Sequence, residues 1–140
     1  MMNIKPLIML PLFLVMSNCK TQTATAQTEN QTGNTISIDL GKTKTIPGSK
    51  ISLQFKEVVE ESRCPVDVTC VWEGIAIVDI AATSGSEKAD LQIATRDFEQ
   101  KNVNKFASFA GYRVTLVELK PQPGAKEEPV TATFKYEKEK

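Results

Sequence analysis

Cys64 and Cys70 stand in the one dense cluster of distinctive side chains here, Ser62-Arg63-Cys64-Pro65-Val66-Asp67-Val68-Thr69-Cys70-Val71-Trp72-Glu73-Gly74. Their spacing is not the C-x-x-C of a dithiol exchange site. Two thiolates without further ligands do not make a zinc site either. No histidine occurs among the 140 residues, which excludes Ser-His-Asp and Cys-His catalysis within the chain. Carboxylate-pair hydrolysis is a distant option, because short strands offer little cleft for it. These residue types point away from an enzyme, and no metal or cofactor is expected. They do suit recognition. Trp and Arg are favoured interface anchors, so a loop presenting Arg63, Asp67 and Trp72 to a partner is one reading. Core packing of a lone Trp beside a disulfide is the other, and it is preferred for Trp72.

The third cysteine, Cys19, follows a short start carrying Lys5 and an apolar run over 6–16. That order is a secretory signal whose apolar run is too short to cross a bilayer as a helix. A Cys in this place resembles the lipobox of bacterial lipoproteins, where the signal is cut before the Cys and its thiol and new amine receive acyl chains. The resemblance implies a signal peptide over 1–18, lipidation at Cys19, and a bacterial cell-envelope protein held on a membrane by its lipid anchor. Cleavage after Ala24-Thr25-Ala26, which discards Cys19 and gives a secreted or periplasmic protein, is the alternative. In an exported protein, Cys64 and Cys70 most simply pair. Closing so short a loop stabilises by only about 2 kcal/mol. The bridge is therefore mainly a shape device, with Pro65 fixing φ inside it.

Composition narrows the partners. Basic and acidic residues number 17 each, and losing Lys5 with the signal tips the balance to about −1. No clustered basic surface steers toward nucleic acid. Residues 19–34 are mostly Thr, Gln and Asn, with no aliphatic side chain larger than alanine. They form a tether after the lipidated Cys, since they bury too little surface to offset ordering.

Residues 35–140 hold the elements that must position the loop. Ile36, Ile38 and Leu40 alternate with polar residues, as do Ile51, Leu53 and Phe55, which marks half-buried strands. Pro47-Gly48 is a turn, and Val58-Val59 breaks the alternation in the manner of a bulge near Glu57. The stretch 71–82 is apolar on two faces, Ile75 and Ile77 against Ala76, Val78 and Ile80, which suits a central strand covered on both sides. After a turn at Ser84-Gly85-Ser86, Ala89, Leu91 and Ile93 begin the returning strand. Phe98, Phe106 and Phe109 fall in a long connection, expected to plug the sandwich edge with one helical turn at most. Tyr112, Val114 and Leu116 form a strand with Val117 and Leu119 on its other face. A loop over 121–129 leads to a last strand with Val130, Ala132, Phe134 and Tyr136 inward. Seven or eight short strands without a helical period give an all-β antiparallel β-sandwich, Ig-like in general shape, with a small β-barrel as the alternative.

The loop also resembles an S-R-C-P-x-x-V-x-C-V-W-x-G signature of small exported bacterial proteins and lipoproteins. Ser62, Arg63, Cys64, Pro65, Val68, Cys70, Val71, Trp72 and Gly74 carry it. Gly111-Tyr112-Arg113-Val114-Thr115-Leu116 running to Pro121 is similar to a later strand of that group. The resemblance implies an all-β fold and export, and it assigns no catalytic or ligand residues. The expectation is a non-catalytic cell-envelope lipoprotein presenting a small sandwich for binding or scaffolding. Its partners are the membrane through its anchor and an envelope protein or small ligand. A secreted inhibitor or ligand-binding module using the loop around Trp72 is the alternative.

Overall fold

The computed structural model describes residues 33–140; the expected signal peptide, the expected lipidation at Cys19 and the expected tether as far as residue 32 lie outside them. Eight strands follow in chain order. These are β1 (Thr35–Asp39), β2 (Thr43–Thr45), β3 (Ile51–Glu61), β4 (Ala76–Ser84), β5 (Glu87–Ala94), β6 (Phe106–Phe109), β7 (Tyr112–Lys120) and β8 (Thr131–Lys138). They form two four-stranded sheets, β1-β8-β7-β6 and β2-β3-β4-β5, antiparallel throughout and not closed into a barrel. The fold is a β-sandwich. Each sheet is largely a meander, and the chain changes sheet only between β1 and β2 and between β5 and β6.

The register divides the loops between two ends. Thr35 pairs with Lys135 toward the finish of β8, and Asp39 with Thr131 at its start. The chain therefore enters at the end that carries the turns at 46–50, 85–86 and 110–111, called here the near end. The far end carries residues 40–42, 62–75, 95–105 and 121–130. Hydrogen bonds from Arg63, just after β3, to the carbonyls of Leu119 and Pro121 tie the two sheets together there.

Alternation explains most of the core. Ile36, Ile38, Ile51, Leu53, Phe55, Val114, Leu116, Ala132 and Phe134 are buried in one cluster between the sheets. Ala76, Val78 and Ile80 of β4 join it. Ile75 and Ile77 face the other way, into a second cluster with Ala94 and Val103, against which Phe98 packs. The central strand is thus covered on both faces where it begins, as its apolar run requires.

Four expectations need correction. β4 begins at Ala76, and Val71 and Trp72 stand outside it in an exposed loop. Leu40 is 43% exposed because β1 has ended and the chain is turning, with the Lys42 amide bonded to the Asp39 carbonyl. Phe106 and Phe109 belong to a strand rather than a connection; only the 3-10 turn at Glu99–Lys101 matches the anticipated helical turn. Leu119 lies on the core side with Leu116, because the β7–β8 register shifts between Leu116 and Glu118 and leaves Val117 as the extra residue. A bulge changes which parity faces inward. β3 shows the anticipated irregularity, with shifts on either side of Glu57.

Candidate functional site: the disulfide-pinned loop

Residues 62–75 connect β3 to β4 across the far end, and their path is set by contacts to main-chain atoms. The Ser62 amide donates to the Ile75 carbonyl at 2.8 Å. The Ser62 hydroxyl donates to the same carbonyl at 2.9 Å and accepts from the Ile75 amide at 3.2 Å. The entry and exit of the loop are thereby stitched together. A Cβ on Gly74 would sit 1.7 Å from the Ser62 carbonyl oxygen, so only glycine permits this crossing.

Arg63 is the clamp beneath the loop. Its Nη1 donates to the Leu119 carbonyl at 2.7 Å, its Nη2 to the Pro121 carbonyl at 2.9 Å and to Glu61 Oε2 at 2.6 Å. Its Nε donates to Glu61 Oε1 at 2.8 Å. With 16% of the side chain exposed and most donors of its fork used, Arg63 holds the fold and is not offered to a partner. The donors that the sequence reading offered to a partner at Arg63 are engaged within the fold.

Cys64 and Cys70 are bridged, with their Cα atoms 5.9 Å apart. The first half of the ring rests on the neighbouring loop: the Val66 amide donates to the Pro123 carbonyl at 3.0 Å, and Gln122 Nε2 to the Cys64 carbonyl at 3.2 Å. Beyond the ring, Arg96 donates to the carbonyls of Glu73 and Gly74 at 3.1 and 3.2 Å while its guanidinium lies 5.0 Å from the Phe98 ring centre. Val71 and Trp72 therefore project between two fixed points, the disulfide and the Arg96 contact.

Their side chains face solvent. Val71 is fully exposed and Trp72 is 68% exposed, which overturns core packing for Trp72. Val66 and Val68 are exposed in the same loop, with the carboxylates of Asp67 and Glu73 beside them. An open groove of about 570 Å³ runs alongside, with Val58, Leu119, Pro121, Pro123, Ala125 and Val130 among its walls.

The arrangement supplies exposed apolar contact surface. Displaced pKa values occur away from the loop. A hydrogen bond to Asp90, helped by Asp79, raises Lys56, and Lys135 lowers Glu137. Among the described residues no group of three or more metal-ligating side chains converges.

Sequence reasoning found the cysteines and the Trp but missed two positioning residues. The role of Gly74 had a signal, since a glycine just before a strand marks a close backbone approach. Arg96 had none, because its partners are carbonyls brought near only by the fold. No protein family, curated protein or solved structure matches this chain.

Proposed function

We propose that the protein is a non-catalytic cell-envelope lipoprotein that uses a small sandwich as a binding module on a tether. The observation that carries the binding role is the exposure of Val71 and Trp72 on a loop whose main chain is held from both sides. Leaving two apolar side chains in water is unfavourable, and holding them rigidly lowers the ordering cost of a later association. The order of basic start, apolar run and Cys19 supports the anchor.

Two measurements test this reading. Intact mass of membrane-extracted protein should show a chain beginning at Cys19 with acyl additions; a soluble chain beginning at Gln27 refutes the anchor. Trp72→Ala should leave folding stability within about 0.5 kcal/mol of wild type yet abolish partner capture from envelope extracts. Capture that survives the substitution refutes the role of the loop.

A further inference from the structure

The exposed apolar surface is unevenly distributed along the sandwich. Of the large hydrophobic side chains exposed among the described residues, all but Phe106, at mid-height, lie toward the far end. Val66, Val68, Val71 and Trp72 are in the loop itself, and Val117 is pushed outward nearby by the β7 bulge. The near end shows Pro47, Gly48, Gly85, Ser86 and charged neighbours such as Lys50 and Lys138.

We infer that the far end is a protein-docking surface, on which Val71 and Trp72 enter an apolar cleft whose rim carries basic side chains. Charge supports the rim: Asp67 and Glu73 flank the apolar residues, and the one cation of the loop, Arg63, is spent on internal bonds. The same carboxylates argue against a second copy, because a two-fold contact of this loop with itself would bring one acidic pair toward the other with no free loop cation between them.

The inference rests on the proposed binding role of the loop. Asp67 and Glu73 beside the apolar side chains also oppose insertion into a bilayer, since carboxylates are costly to bury and are repelled by anionic headgroups.

The test uses the full mature protein. Trp72 is the only tryptophan in the chain, so its emission reports this site alone. In vesicles of phosphatidylethanolamine and phosphatidylglycerol with brominated acyl chains, that emission should stay solvent-like and unquenched. In cells, Val71→benzoylphenylalanine should give one protein adduct on irradiation, and Lys50→benzoylphenylalanine at the near end should give none. Adding Trp72→Ala should lower the adduct yield about 30-fold, the size expected of a central anchor. Asp67→Lys with Glu73→Lys should lower it severalfold, and Glu87→Lys should leave it unchanged. Quenching by the brominated chains would make the bilayer the occupant, and an adduct between two copies would mean self-association. Equal adducts from both positions, none from position 71, or indifference to the charge reversals would also overturn the inference. A position-71 adduct on protein that lacks the acyl mass would refute the anchor alone and leave the docking surface standing.

Discussion

The two ends of the sandwich solve the same problem, reversing a strand, by different means. At the near end the reversals are short and local. Ser84 pairs with Glu87 across Gly85-Ser86, and Phe109 pairs with Tyr112 across Ala110-Gly111, where both central residues have positive φ. Such turns need only backbone conformations that match strand twist. At the far end three of the four connections are long, and they are held by cross-ties: a disulfide, two arginines bonded to carbonyls, and one crossing that admits no side chain. Long loops are held this tightly where they do something besides connect. The near end closes a fold; the far end holds a surface.

This contrast can be broken at several points. The largest effect is expected from Gly74→Ala, whose new Cβ meets main chain rather than a movable side chain. The crossing must open, and a loss of about 4 kcal/mol or failure to fold is the expected outcome in chemical denaturation. A loss under about 1 kcal/mol would show that the crossing is loose.

Arg63→Ala comes next, at about 3 kcal/mol, because it leaves the Leu119 and Pro121 carbonyls without their charged donor. Arg63→Lys should recover only part of this, since an ammonium cannot reproduce the planar fork. Full recovery would reduce Arg63 to a point charge.

Replacing both Cys64 and Cys70 by serine should cost about 2 kcal/mol. The near end should be spared, with unchanged amide-exchange protection around Gly111. Loss of protection there would mean the two ends are coupled.

At the near end, Ala110→Asn should stabilise by about 0.5 kcal/mol. Ala110 has φ 47°, a region that penalises an L residue with a Cβ but suits Asn. A raised melting temperature is the readout, and a lowered one would show that the turn is not strained.

The smallest expected effect is none at all. With no histidine, and with Lys56 and Glu137 titrating well outside neutrality, stability should be flat between about pH 6 and 8. The sign is set by the direction of each displacement. The contribution of Glu137, whose pKa is lowered, is present above its ordinary 4.5 and lost as pH falls through the folded value. That of Lys56, whose pKa is raised, is present below its ordinary 10.5 and lost as pH rises through the folded value. Denaturation midpoints that moved steeply between pH 6 and 8 would reveal a buried ionisable group.

Legibility in the sequence also differed between the ends. Period-two patterns at Ile36-Ile38, Ile51-Leu53-Phe55 and Ala132-Phe134 marked strands correctly, since burial on one face writes itself into alternation. The glycines of the near-end turns at Pro47-Gly48 and Ser84-Gly85-Ser86 did the same for two reversals. β6 was missed because its four residues are too few for a pattern. Leu119 falls on the face opposite to the one alternation predicts, because the bulge after Leu116 shifts the parity; the adjacent apolar pair Leu116-Val117 is the same kind of signal as Val58-Val59 in β3. Trp72 was expected inside on residue type alone, and the disulfide beside it encouraged that. Its exposure follows from where the ring and the Arg96 contact hold the chain, which no local pattern records.

The frame grips the loop through Ser62, Arg63 and Arg96, and the atoms that the two arginines hold at the carbonyls of 73, 74, 119 and 121 belong to the polypeptide backbone. The side chains of Val71 and Trp72 face solvent, so their identities can change with little folding penalty. On the proposed binding role, such a domain can change partners faster than it changes shape. Related chains could share the stitched crossing and the ring while displaying quite different faces, much as one socket takes many bits.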